Sequence, residues 1–190
     1  MAAAAANYTA ECLGAVSAGV DFYQMSTSAD VALRIVKDCQ DQGFKGTFGA
    51  SGGTADDTLI GSGADWAGGI NGFPWWSNNP AVKEYRDVMT AAKVKFGAPT
   101  ITGMWANLQL LRKSLSKAGA SVTRADVIAA YNSISGEDLG GLLPQKVTFT
   151  AGKTSSPVNC VWVYVLKADK FTSPEGDLTP HCFSTTPPKA

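Results

Sequence analysis

A serine in a glycine-rich run is the residue best placed for nucleophilic chemistry in this sequence. The run Gly49-Ala50-Ser51-Gly52-Gly53 fits the G-x-S-x-G pattern of a nucleophile elbow, and it follows a predicted strand. Asp169 or Asp177, followed by His181, would complete a catalytic triad in the chain order of α/β-hydrolases. An α/β serine hydrolase that uses Ser51 and His181 is therefore one hypothesis for the function.

The surroundings of this serine argue against catalysis. An elbow needs an apolar helix directly behind the nucleophile, but residues 54–58 read Thr-Ala-Asp-Asp-Thr. No oxyanion loop of the His-Gly-Gly-Gly type lies upstream, and His181 stands beside Cys182 between predicted loop residues. We therefore predict that the chain is not an enzyme and keep the hydrolase as the alternative.

Metal and cofactor sites are not predicted. His181 is the only histidine, and no carboxylates or thiolates accompany it at the spacing of metal ligands. The triplet Gly61-Ser62-Gly63 lacks the third glycine of a dinucleotide fingerprint and opens no helix. The lysine of a phosphate-binding loop is also missing, so we expect no cofactor.

The cysteines favour disulfides over a metal site. The four are Cys12, Cys39, Cys160 and Cys182. None forms a C-x-x-C pair, which disfavours a zinc ribbon or a thioredoxin motif. Their even number and their separations of 27 and 22 residues suit two local disulfides, which would imply an oxidising compartment. Four buried free thiols in a cytosolic protein remain the alternative.

An aromatic cluster stands in a predicted loop. Phe73, Trp75 and Trp76 surround Pro74, shortly before a helix that starts at Pro80. Adjacent exposed tryptophans often line a pocket or an interface. The equally open alternative is that they pack over the helix that follows.

Composition indicates an ordinary globular chain. Of its 190 residues, 45% are apolar and 17% charged, and 16 basic side chains balance 16 acidic ones. A net charge of zero argues against nucleic-acid binding driven by a strong positive charge. Residues 1–7 lack the basic start and the long apolar stretch of a signal peptide, and no apolar run approaches the roughly 20 residues that span a bilayer.

The first part of the chain predicts a strand–helix–strand unit. A strand at 20–25 is followed by a helix that Ser28 caps and Gly43 ends, and then by a strand at 44–48. Apolar residues recur every four positions along this helix at Val31, Ile35 and Cys39. Such a unit implies parallel strands with a right-handed crossover, and hence an α/β fold.

The rest of the chain is predicted to be helical before it returns to strands. Strands are predicted at 67–73, 147–149 and 160–166, and helices are predicted from Pro80 to Gly97, from Pro99 to Gly119 and from Thr123 onward. On the middle helix one apolar face would contain Met104, Trp105, Leu108, Leu111 and Leu115.

Short stretches along nearly the whole chain form an ordered set. They are Tyr8-Thr9-Ala10-Glu11-Cys12, Gly19-Val20-Asp21-Phe22, Cys39-Gln40-Asp41-Gln42-Gly43, Gly68-Gly69, Pro74, Asn79-Pro80-Ala81-Val82 and Lys117-Ala118-Gly119, followed by the strand-rich end. No single stretch is highly specific, but in this order they resemble the substrate-binding proteins of ABC importers of the branched-chain amino-acid type.

This resemblance implies a type I periplasmic binding fold, in which two parallel-sheet α/β lobes are joined by three crossings and close on a ligand. The chain resembles only about the second half of such a protein. Residues 1–73 would be part of the second lobe, 74–146 a hinge crossing and the helical return segment of the first lobe, and 147–190 the last crossing, the terminal strands and the tail. We therefore expect a fragment or one piece of a divided protein, whose partner is the missing first-lobe half.

The resemblance also implies a set of ligand contacts. In the family, residues after two successive strands line the cleft, which here gives Met25, Ser26, Thr27, Ser28, Ser51, Gly52 and Gly53. The hydroxyls and helix N-terminal amides at 26–28 suit a carboxylate. Trp75 and Trp76 would wall an apolar or aromatic ligand at the hinge. Amino-acid binders place an acidic residue after the second strand, but the first carboxylate here is Asp56, which weakens the case for an amino acid.

The implied function is solute capture for transport. The chain would belong to an extracytoplasmic component of an ABC importer that takes an amino acid or an aromatic or aliphatic acid, with the membrane subunits as partners. A ligand-sensing receptor ectodomain of the same fold is the alternative. The resemblance supports the pairings Cys12–Cys39 and Cys160–Cys182 and a periplasmic or extracellular location, secreted or lipid-anchored in the full-length form.

Overall fold

The structure, a computed structural model, describes residues 5–95, 97–116, 119 and 121–184 as an α/β fold built on a mixed six-stranded sheet. Its strands are β1 (Phe22–Met25), β2 (Thr47–Ala50), β3 (Trp66–Ile70), β4 (Cys160–Lys167), β5 (Lys170–Thr172) and β6 (His181–Cys182). Its helices are α1 (Thr9–Ser17), α2 (Ala29–Asp41), α3 (Lys83–Ala91), α4 (Pro99–Ser114) and α5 (Arg124–Asn132). Short 3-10 helices lie at Asp57–Leu59 and Pro80–Val82.

The sheet joins the two ends of the described chain. β1, β2 and β3 are parallel neighbours, as the strand–helix–strand pattern predicts. β3 then pairs antiparallel with β4, from Trp66 opposite Leu166 to Ile70 opposite Trp162. β4 also pairs with β5 and, through Cys160 and Val161, with β6. The predicted α/β class is confirmed, and the antiparallel additions make the sheet mixed.

The two faces of the sheet differ in burial. Along β4, burial alternates, and the covered side carries Cys160, Trp162, Tyr164 and Leu166. α2 contributes Val31, Ala32, Ile35, Val36 and Cys39 to the same core. On the other face, Val161, Val163 and Val165 are only half-buried, and Phe22 is 47% exposed. The described part of the chain therefore leaves that face partly open.

Several helix ends differ from the sequence-based expectation. The helix predicted up to Gly97 stops at Ala91, because the chain turns into the left-handed region at Lys93, where φ is 55°. α4 stops at Ser114, whose hydroxyl donates back to the carbonyl oxygens of Leu110 and Leu111, a bond that competes with helix continuation. Phe96, Lys117 and Ala118, which the predictions included, lie outside the described residues.

The predicted apolar face of α4 is wrong for Met104 and Leu108, whereas Trp105 packs on Tyr85 with ring centroids 5.3 Å apart. The side that packs is that of Thr102, Ala106 and Leu110, whereas Met104 and Leu108 are 61% and 55% exposed. The reason is the contact with the chain after β3, which approaches the Thr102 side closely. The predicted strand at 147–149 is also absent: Val147 forms only an isolated bridge with Glu137.

Local signals at other helix starts are confirmed. α5 begins with a capping box in which the Thr123 hydroxyl accepts from the Asp126 amide, and the Asp126 carboxylate accepts from the Thr123 amide. α2 begins after Ser28, although the Ser28 hydroxyl makes no capping hydrogen bond. In the part of the chain that the structure describes, no helix is long and apolar enough to cross a membrane.

Two disulfides tie the fold together, and both predicted pairs are confirmed. Cys12–Cys39 joins α1 to α2, and both of these residues are fully buried. Cys160–Cys182 joins residues that face each other on β4 and β6. β6 has only two residues and both are exposed, so this bond is a main anchor for the chain end near Cys182.

We expect the double variant Cys12→Ala/Cys39→Ala to lose stability. The bond closes a loop with a sequence separation of 27. In the chain-entropy model, closing a loop of this length lowers the conformational entropy of the unfolded chain and so adds about 3–4 kcal/mol to the free energy of unfolding. Urea unfolding followed by tryptophan fluorescence measures the loss. Non-reducing peptide mapping of the parent chain is the accompanying control, and four alkylatable thiols there would contradict both pairings.

Candidate functional site

Two hydroxyl-bearing turns meet at the carboxyl ends of β1 and β2. The Thr54 hydroxyl donates to the carbonyl oxygen of Thr27, and its oxygen lies 3.0 Å from the Ser51 hydroxyl. The Ser51 amide donates to the Met25 carbonyl oxygen at 3.2 Å. The structure thus brings the predicted groups 25–28 and 51–53 together. Thr54, which is 5% exposed, is the link that sequence reasoning missed.

An acidic side chain of the helix itself stands at the start of α2. Asp30 lies in its first turn, where a negative charge complements the helix dipole. The Ser28 hydroxyl beside this carboxyl is the main reason that the pKa of Asp30 is lowered. Ser28 therefore faces an acidic neighbour, and this helix end is less suited to a ligand carboxylate than the sequence alone suggests.

A cavity of about 710 Å³ lies between the sheet and α4. One wall is formed by Gly52, Gly53 and Asn71, which follow β2 and β3. The opposite wall comes from α4 and from the segments before and at β4, and it includes Thr100, Met104, Asn107, Leu110, Leu142, Leu143, Gln145, Val147, Phe149, Val158 and Val161. Its volume falls in the range of small-molecule sites.

Gly72 sets how closely α4 approaches the sheet. A Cβ at this position would overlap the Pro99 carbonyl oxygen, the Thr102 hydroxyl and the Gly103 amide nitrogen. Because only a hydrogen stands there, the first turn of α4 rests directly on the chain after β3. A glycine just before the predicted crossing was the one sequence signal for this contact, and no pattern pointed to Asn71 or Asn107.

The cavity lining carries no ionisable side chain among the described residues. Its polar side chains are Asn71, Thr100, Asn107 and Gln145, and the rest of the lining is glycine, proline or apolar, apart from the disulfide-bonded Cys160. Gln145 is already engaged, because its amide nitrogen donates to Pro157 and its amide oxygen accepts from Asn159. A bound group would therefore meet apolar surface and a few neutral hydrogen-bonding groups.

The tryptophan pair lies away from this lining. Trp75 is 4% exposed and contacts both Trp76 and Phe171, with ring centroids 4.7 Å and 5.2 Å away. Trp76 stacks on Phe171 and donates from its indole nitrogen to the Ser173 hydroxyl at 3.2 Å. The pair thus packs the chain after β3 against β5 and the residue just beyond it.

The hydrolase arrangement is not assembled. The Ser51 hydroxyl bonds with Thr54, whereas Nδ1 of His181 lies 3.2 Å from the Glu175 carboxylate and its ring packs on Phe183. Asp169, one candidate for the triad acid, instead accepts from the Gly61 amide. Within the described residues no group of His, Cys, Asp or Glu side chains could hold a metal ion.

Comparisons with known proteins agree on one fold. The family model for periplasmic binding proteins matches residues 1–171. No curated protein sequence matches the chain. Among solved structures, a leucine-binding protein from Thermotoga maritima is 17% identical to this chain, with a TM-score of 0.62. The match covers 90% of this chain and 48% of the leucine-binding protein.

Two further structures extend this finding. A branched-chain amino acid ABC transporter protein from Thermus thermophilus, solved with bound valine, is 15% identical with a TM-score of 0.70, covering 94% of this chain and 50% of its own. A fatty acid ABC transporter substrate-binding protein from Thermomonospora curvata is 16% identical with a TM-score of 0.65, covering 90% and 48%. The chain shares their fold and spans about half of their length. These relatives are solute-binding proteins, not enzymes.

We expect Thr54→Val to loosen the two turns. The change removes the donor to the Thr27 carbonyl oxygen and leaves that part-buried acceptor without its protein partner, which costs about 1–2 kcal/mol of unfolding free energy. Thr54→Ser keeps the hydroxyl and is the matched control. Urea unfolding of the three proteins checks this, and equal stability of the valine and serine variants would refute the role of Thr54.

Proposed function

Because the chain belongs to the periplasmic binding protein family, we propose that it is part of an extracytoplasmic solute-binding component of an ABC importer. The observation that carries this proposal is the cavity between the glycine-rich ends of β2 and β3 and the first turns of α4. Capture would proceed by closure of two lobes around a small organic solute, with no bond made or broken.

We propose the following division of the chain. Residues 1–73, which contain β1–β3, are part of the second lobe. Residues 74–146, whose described elements are a 3-10 helix and α3–α5, are a hinge crossing and the helical return to the first lobe. Residues 147–190, with β4–β6, form the last crossing, the terminal strands and the tail. The different element content of the three parts supports this division.

The proposed half-site consists of the two turns and the cavity next to them. Gly52 and Gly53 line the cavity directly, and Ser51 and Thr27 are held beside them through Thr54. Met25, Ser26 and Ser28 belong to the same edge of the sheet. For Trp75 and Trp76 the packing on Phe171 favours a role in holding the hinge segment rather than in contacting solute.

The uncharged lining bears on the class of solute. An α-ammonium group needs a carboxylate or several acceptors when it leaves water, and none of the described lining residues is acidic. An aliphatic or aromatic acid can place its hydrocarbon part against Met104, Leu110 and Phe149 and keep its carboxylate toward the other half of the fold. We therefore propose such an acid ahead of an amino acid.

Location and partners follow from the family. An extracytoplasmic place agrees with the two disulfides, which persist in oxidising compartments. Secretion or a lipid anchor in the full-length protein, the importer's membrane subunits and the other half of the two-lobe fold are part of this proposal. A ligand-sensing receptor ectodomain is the second candidate, because two of the similar structures are described as extracellular ligand-binding receptors.

We expect the 190-residue chain to bind 4-methylpentanoate only weakly. The chain spans about half of the two-lobe fold and offers about half of the contacts, so a micromolar binding free energy of about 8 kcal/mol falls to about 4 kcal/mol, which corresponds to millimolar affinity. Amide chemical shifts of Gly52, Gly53 and Gly103 should move at millimolar concentration. Submicromolar binding would contradict the hypothesis that this chain contains only half of the solute site.

A charged side chain introduced into the cavity tests whether the solute binds there. Met104→Asp puts a carboxylate in the lining and should weaken 4-methylpentanoate binding about tenfold through charge repulsion. Leu108→Asp alters a similarly exposed residue of α4 outside the lining and should leave binding unchanged. Equal effects of the two variants, or stronger binding of L-leucine than of 4-methylpentanoate, would count against the proposed site or solute class.

A further inference from the structure

Three separate segments of the chain meet at Asp57. This residue starts the 3-10 helix between β2 and β3, and Leu59, at the end of that helix, is fully buried and anchors it. The Asp57 carboxylate accepts from the Trp75 indole nitrogen at 2.8 Å, and Trp75 belongs to the segment after β3. The Asp57 amide donates to the Gly97 carbonyl oxygen at 2.8 Å, and Gly97 lies in the turn that leads into α4.

Gly97 is fitted to this carboxylate. A Cβ at this position would overlap the carboxyl group of Asp57, and Gly97 itself is buried. Its φ is not in the left-handed region, so an alanine is compatible with the backbone there and would act only by displacing Asp57. The main-chain amide of Asp57 thus holds the turn before α4 by a hydrogen bond, while its carboxylate lies against Gly97 and bonds Trp75.

We infer that Asp57 is a positioning residue that fixes the start of α4 relative to the sheet and thereby sets the width of the cavity. The wall that it holds begins two residues after Gly97, at Pro99 and Thr100, which face Gly52 and Gly53 across the cavity. The consequence for solute capture rests on the proposed function, whereas the positioning itself does not.

The surroundings of Asp57 as a whole do not favour a negative charge on its carboxyl. Burial is the main cause that raises the pKa of Asp57, and Asp56 nearby adds to it, while the Trp75 indole and Lys95 act in the opposite direction. Tyr85 also faces this carboxyl; burial is the main cause that raises the pKa of its phenol, and the Asp57 charge adds to it. A raised pKa means that the fold disfavours the charged form relative to the unfolded chain, so a neutral acceptor should serve at pH 7.

Amide hydrogen exchange on the parent chain and four variants tests this inference. Asp57→Ala removes the acceptor and Gly97→Ala displaces it, so each should raise exchange of the Ile101 and Thr102 amides, which bond to Ala98, at least tenfold. Amides of β4 should be unchanged in both. Asp57→Asn keeps an acceptor oxygen and should match the parent, as should Asp56→Asn, which removes only the neighbouring charge.

The outcomes separate positioning from general destabilisation. Faster exchange in β4 and α4 alike, an asparagine variant as perturbed as the alanine variant, or no change in Asp57→Ala would each overturn the inference. If Asp57→Ala does not fold, Gly97→Ala and Trp75→Phe take its place. Weakened 4-methylpentanoate binding in Gly97→Ala extends the result to the solute, and absence of binding in every protein counts against the proposed function alone.

Discussion

The pairing of β3 with β4 is the interaction on which both walls of the cavity depend. β3 carries the parallel strands on one side and β4 on the other, so residues from distant parts of the chain share one sheet. Trp66, Trp162 and Tyr164 lie on the covered face of these two strands and are fully buried. Gly68 makes room for it, because a Cβ there would lie about 3.0 Å from the Ala50 carbonyl oxygen and 3.1 Å from the Tyr164 ring. The helical segment between β3 and β4 is consequently held at both ends.

Much of the fold could be predicted because its signals are local. Ser28, Thr123 and the prolines at 80 and 99 mark helix starts that the structure reproduces, and β-branched residues mark β4. Helix ends were predicted less well. The end of α3, for example, depends on a left-handed conformation at Lys93, where no glycine in the sequence indicates one. β5 and β6 were not predicted: three residues and two residues give too short a pattern, and β6 depends on the disulfide that joins it to β4.

The candidate site was predictable on one side only. The family resemblance pointed to the turns after β1 and β2, and their meeting at one edge of the sheet follows from the parallel pairing of these strands. The α4 wall does not follow from any periodicity: the helix is apolar on more than one side, and the packed side is selected by its contact with Gly72. Trp75 is a residue for which the sequence suggests a binding surface and the structure shows packing instead, because its ring contacts Phe171.

The open side of β1 determines how the chain behaves in concentrated solution. In the described structure β1 pairs with β2 alone, and its four residues, Phe22–Met25, include neither proline nor lysine, which commonly protect an edge strand. With a formal charge of zero, molecules do not repel one another at long range. We therefore expect strand-to-strand association through the backbone groups of β1 and the Phe22 ring to limit colloidal stability, and added salt to do little against it.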